Sequence, residues 1–266
     1  MANRSPDVDW ANVENLIGLL STVTADTFIL ISSLAVFADP AGQDDENSSN
    51  FQKELAYGRH RRELEIRCEK FFKNCLIARL PALFGAGLKK NFLFDILNPA
   101  PTMLTDEWYQ RLIEILPKAA LDVMHDVYLY DAQSELHEIN RTSLALHPGK
   151  YGFEKSLNEV GATAIAFHNK LSTFQYYNLD RLWADITRAK SAGLTCINLA
   201  TEPLHATRIH ETLLGDPMTD SDANLHHEDM HTRHADIWGL RGPYIESANH
   251  VLDELKQFYN LSKIKS

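Results

Sequence analysis

A tyrosine and an arginine four residues apart, Tyr57 and Arg61, follow a short apolar run that ends in two serines, Ser32 and Ser33. These residue types suit proton transfer. A phenol with an ordinary pKa of about 10 is too weak a base at neutral pH unless a neighbouring cation stabilises its ionised form, and a positive side chain one helical turn away does that. Together, Ser33, Tyr57 and Arg61 have the make-up of a serine, tyrosine and base group for proton transfer. Plainer readings stand beside this one. Serines at a strand end also act as turn or capping residues, and Arg61 can pair with Glu54 or Glu65 on a solvated helix face.

The elements that must position these residues follow from apolar periodicity. Residues 9–22 carry Trp10, Val13, Leu16, Ile17, Leu19 and Leu20 in a helical stripe. The unbroken run Phe28 to Ile31 predicts a strand over 27–33, central in a parallel sheet and covered on both faces. A loop of turn formers spans 38–50. A helix is predicted over 51–72, with Tyr57, Arg61, Leu64, Cys68 and Phe71 or Phe72 on the stripe facing the sheet. Residues 74–80 give the next strand, closed by Pro81, so that strand, helix and strand form a right-handed βαβ unit. Beyond it, short helices are predicted over 106–116 and 154–169, with Pro99, Pro101, Pro117 and Pro148 punctuating the connections. A strand over 172–177, a helix over 179–192, a strand over 194–200, a helix over 204–214, a loop over 216–227 and a helix over 245–259 complete the chain.

The 266 residues are 44% hydrophobic and 23% charged, as expected of a globular protein with one large or two modest domains. A formal net charge of −10 argues against nucleic-acid or anionic-membrane partners. The basic cluster Arg59, Arg61, Arg62 and Arg67 alternates with Glu63, Glu65 and Glu69, which reads as a solvated helix face. Cys68, Cys75 and Cys196 match no disulfide or zinc spacing and read as reduced core residues. No apolar run approaches the roughly 18 residues of a membrane span and no signal peptide is evident, so a cytoplasmic protein is expected. His226 to His234 reads as a polar, His-rich loop running into a helix, without a metal; were it helical, His227, His231 and His234 would share a face suited to zinc or nickel.

The segments Ile31 to Phe37, Tyr57 to Arg61, Ala78 to Gly87, Phe174 to Trp183 and Ile197 to Pro203, in that order, resemble the extended short-chain dehydrogenases, the NAD-dependent nucleotide-sugar epimerases and dehydratases. The resemblance implies an α/β fold: an incomplete Rossmann-like parallel sheet flanked by helices, with a smaller mixed C-terminal substrate lobe. It implies a partial Rossmann-like domain over 1–100 carrying the catalytic group. Residues 101–266 are then a mixed α/β region that includes the substrate lobe and strands returning to the main sheet. It implies NAD or NADP as cofactor and a nucleotide-activated sugar as substrate. By the same resemblance Tyr57 is the acid/base, Arg61 stands where the family has lysine, and Ser33 hydrogen-bonds the reacting oxygen. Asn12 supports the base, Pro81 faces the nicotinamide, and Ala82 stands where the family has a substrate-binding asparagine.

The family's glycine-rich phosphate loop, Gly-x-x-Gly-x-x-Gly, does not occur in the sequence, and residue 1 aligns with the start of the family's fourth helix. Without that loop the pyrophosphate lacks its usual anion site at a helix N-terminus. The expectation is therefore double. One reading is an NAD(P)-dependent epimerase, dehydratase or reductase; the other is a truncated, catalytically inactive member that serves as a binding or assembly subunit. The resemblance further implies a homodimer through the helices 9–22 and 51–72, and an uncovered sheet edge at residues 27–33 calls for a partner to cover it.

Overall fold

The computed structural model describes residues 2–265. In chain order the elements are α1 (Pro6–Leu20), β1 (Phe28–Ser33), α2 (Ala56–Phe71), β2 (Cys75–Leu80), β3 (Ala82–Phe84), α3 (Phe92–Leu97), β4 (Met103–Leu104), α4 (Asp106–Ile115) and α5 (Lys118–Val127). They continue with β5 (Tyr128–Asp131), β6 (Leu136–Ile139), α6 (Arg141–Leu146), α7 (Lys150–Glu159), β7 (Thr173–Phe174), β8 (Tyr176–Asn178), α8 (Leu182–Ser191), β9 (Cys196–Asn198), β10 (Leu204–His205), α9 (Ala206–Leu214) and α10 (Ala248–Lys265).

Three parallel strands in the order β1, β2, β9 make the main sheet, with helices packed against it. Every residue of β2 is buried, Arg79 included, as a central strand covered on both faces requires. The register runs from Phe28 opposite Cys75 to Ser33 opposite Leu80, and β9 joins the other side of β2 at Ile77 to Arg79. One expectation is corrected here: β1 is not central. It pairs with β2 alone among the described residues, and Ile31 is 46% exposed. Leu30 packs with Val13, Leu64 and Cys68 under α1 and α2, and Ile29 packs on the opposite face with Ile186 and Ile197. An apolar run on two covered faces looks the same in sequence whether or not a further strand lies beside it.

The helix predicted from residue 51 begins at Ala56 instead. Gln52 accepts the backbone N–H groups of Glu54 and Leu55 on its side-chain oxygen, and Phe51 bridges back to Phe37, so the preceding five residues close the 38–50 loop. The strand predicted over 172–177 is two strands. β7 pairs antiparallel with β10, and β8 pairs parallel with β3. Between them Gln175 is buried and bonds Thr201 and Met230 through its side chain, which turns the chain from one ladder to the other.

Residues 100–162 build a core of their own, in which Leu104, Leu112, Met124, Phe153 and Leu157 pack between α4, α5, α7 and the antiparallel ladder β4, β6, β5. The helix expected over 154–169 splits at Gly161, whose φ of +67° ends α7 before a 3-10 turn at Ala164–Phe167. Gly215 ends α9 in the same left-handed way.

The cysteines are free thiols. Burial pushes Cys68 and Cys196 up to about 12 and Cys75 up to about 11. The arginine-rich face of α2 is only partly solvated: Arg67 and Glu63 form an outer pair, but Glu65 is fully buried. No helix among the described residues is long and apolar enough to cross a membrane.

Candidate functional site

β1 ends at Ser33, whose hydroxyl accepts the Ala35 N–H at 3.1 Å and starts a 3-10 turn, Leu34–Val36. The capping reading of this serine is therefore realised. The start of α2 lies directly against that turn. A Cβ on Gly58 would stand 2.0 Å from the Ala35 carbonyl oxygen, so the close approach that brings Tyr57 alongside the end of β1 requires a glycine. β2 ends at Leu80, and the chain crosses through Pro81 into β3, which pairs with β8 instead of with the main sheet.

These three ends meet in one cleft of about 820 Å³, lined by Ser33, Tyr57, Arg61, Pro81 and Ala82 over an apolar floor that includes Leu30 and Ile31. The charged side chains on its wall are Arg61, Lys89 and Lys90, all cationic in a chain of net charge −10. Such a wall favours an anion. A second pocket of about 280 Å³ shares Ser33, Leu80, Pro81 and Ala82 and adds Gln175, His226 and Glu228. Glu228 accepts the Gln175 N–H at 2.8 Å and meets the His226 ring at 2.9 Å, a bond that holds the imidazolium above the usual histidine range.

Tyr57 is 38% exposed, and the Arg61 guanidinium carbon lies 5.1 Å from its ring centroid. Arg61 pairs with neither Glu54 nor Glu65; it reaches across to α1 and donates to Asp9 at 2.9 Å. Asn12 does not join the group. It is exposed on α1, lies outside the cleft and has no partner among the described residues.

Under the cleft lies a network that the charge pattern of α2 conceals. Arg79 donates from Nε and Nη2 to the two carboxylate oxygens of Glu65 at 3.0 and 2.9 Å, and Ser32 donates to the same carboxylate at 2.6 Å. Burial opposes the Arg79 charge, yet the bond to Glu65 and the nearby carboxylates raise its pKa above the ordinary arginine value. An arginine inside the run Cys-Leu-Ile-Ala-Arg-Leu was the available signal, because a buried strand holds a cation only with a carboxylate partner. The segment from His226 to His234 is irregular and not helical, so His227, His231 and His234 do not share a helix face; His227 meets Thr173, and His231 lies against Asp229 and Tyr244.

No protein-family model and no curated protein matches the chain. Solved structures do. RMD from Pseudomonas aeruginosa, complexed with NADPH, matches with a TM-score of 0.58 at 14% identity over 100% of this chain and 77% of its own. UDP-N-acetylglucosamine 4-epimerase from Methanobrevibacter ruminantium, in complex with UDP-N-acetylmuramic acid, gives 0.58 at 12% over 100% and 73%. UDP-glucuronic acid 4-epimerase from Bacillus cereus, with UDP-glucuronic acid and NAD, gives 0.54 at 13% over 96% and 67%. The chain has the fold of the extended short-chain dehydrogenases. It spans 67–77% of the length of those chains. The parallel β1, β2, β9 sheet with its flanking helices is consistent with the Rossmann-like fold of these structures.

Proposed function

We propose that this protein acts on a nucleotide-activated sugar as an NAD(P)-dependent epimerase, dehydratase or reductase, with Tyr57 as the proton-transferring group. The observation that supports this reading is the shared cleft: Ser33, Tyr57, Arg61, Pro81 and Ala82 come from three separate elements and line one cavity. The dinucleotide would supply hydride transfer. Tyr57 takes or returns the proton of the adjacent hydroxyl, with the Arg61 guanidinium beside its ring. Ser33 offers a hydroxyl to the reacting oxygen, and Pro81 gives an apolar wall to the ring of the cofactor. In this reading Tyr57, Arg61 and Pro81 would hold the nicotinamide end; the sequence carries no glycine-rich loop for the pyrophosphate. The cationic wall of Lys89 and Lys90 suits phosphate groups, and the smaller pocket beside Ser33 and Ala82 suits the sugar. A homodimer through α1 and α2 belongs to the same reading, since α1 leaves Leu16 and Leu19 exposed.

One observation favours a second reading, a catalytically inactive binding or assembly subunit: the unpaired side of β1, with Ile31 exposed beside it, offers an edge for another strand. Titration calorimetry with NADH and NADPH separates the two. Saturable binding that weakens in Arg61→Ala supports the enzyme. A dissociation constant weaker than about 1 mM, only about 4 kcal/mol, sinks it and leaves the binding subunit.

A further inference from the structure

Arg61 has a choice of carboxylates, and what it does with that choice sets the environment of Tyr57. Its helical neighbour Glu65 is already engaged by Arg79, Arg62 and Ser32 and is fully buried. The guanidinium turns instead to Asp9 in the first turn of α1, 52 positions away in sequence. Asp9 is itself held at both oxygens. One accepts from Arg61 at 2.9 Å, and the other meets Nδ1 of the buried His60 at 2.8 Å, whose ring packs 5.2 Å from Trp10. A carboxylate braced in this way fixes the direction of the cation it binds. The direction it imposes keeps the guanidinium carbon 5.1 Å from the Tyr57 ring centroid, within cation–π range.

We infer that Asp9 is a positioning residue: its carboxylate holds the Arg61 guanidinium over Tyr57, and His60 braces the carboxylate. This deepens the proposed function and rests on it for its purpose, but the contact itself is tested without turnover. A long arginine side chain with five N–H donors adopts one orientation only when something fixes it, and α1 supplies that fixation from a residue three positions before Asn12.

The test is the NMR signal of the Arg61 Nε–Hε group in the full chain. In the wild type this proton shows a ring-current shift that disappears in Tyr57→Ala and persists in Tyr57→Phe. Asp9→Asn keeps the shape and the contact with His60 but removes the charge; the expected result is loss of the shifted signal, with a melting temperature close to the wild type. Asp9→Glu retains the charge with a longer reach, so the variant stays folded and the signal moves to a new, single position. An Arg61 signal unchanged by either substitution overturns the inference, because it means that position 9 does not set the guanidinium. Failure of NADH and NADPH to bind would remove the enzyme reading and leave this result standing. If turnover is found, Asp9→Asn lowers kcat by about a hundredfold, the scale of a misplaced reacting group, and Asp9→Glu recovers part of it.

Discussion

At the scale of single residues, Glu65 is the buried carboxylate on which two arginines and a serine converge. It is fully buried, and Arg79, Arg62 and Ser32 all donate to it. Removing one member of a buried pair leaves the other charge uncompensated, which costs more than the pair contributes. Glu65→Ala is expected to destabilise the fold by about 3–5 kcal/mol in urea denaturation, whereas Glu63→Ala on the solvated side of the same helix changes it by less than about 1 kcal/mol. Equal effects would mean that the Arg79 guanidinium finds water or another partner. Local spacing made Tyr57, Arg61 and Ser33 legible in the sequence, since a helical turn and a strand end are short-range features. The partners of Arg61 and Arg79 were not legible, because Asp9 and Glu65 meet them through tertiary packing, and alternating charges on α2 look solvated until its buried face is known.

At the scale of elements, two helical glycines make opposite predictions. Gly18 in α1 has nothing within 4 Å of a would-be Cβ, so Gly18→Ala gains helix propensity and stabilises by about 0.5–1 kcal/mol. Gly58 in α2 faces the Ala35 carbonyl at 2.0 Å, a backbone atom that cannot swing aside. Gly58→Ala is therefore expected to destabilise by about 1–3 kcal/mol and to shift the Tyr57 resonances. Thermal melts of the two variants check the signs, and a neutral Gly58→Ala would show that α2 and the turn after β1 separate easily. The long elements with a clear stripe, α1, α2 and α8, were readable from periodicity. The ladder of β4, β6 and β5 was not, because strands of two to four residues carry too little alternation to register. The division between β7 and β8 depends on what the Gln175 side chain binds, which no spacing encodes.

At the scale of the whole molecule, β1 has one side unpaired among the described residues. Parallel strands bury both faces, and a free edge with a half-exposed isoleucine is a template for further pairing. Ile31→Lys is expected to reduce concentration-dependent self-association in sedimentation velocity without lowering the melting temperature, since Ile31 is 46% exposed. A sedimentation profile identical to the wild type at every concentration would remove the edge as a docking surface.

The crossing at Pro81 adds a constraint of a different kind. The chain leaves the ladder of the main sheet at Leu80 and enters the ladder with β8 at Ala82, so one imino acid links two sheets. Those same three residues are walls of both pockets. The two cavities therefore have a party wall: whatever fills the smaller one presses on the larger through Pro81, and a substitution there alters the fit of both occupants at once.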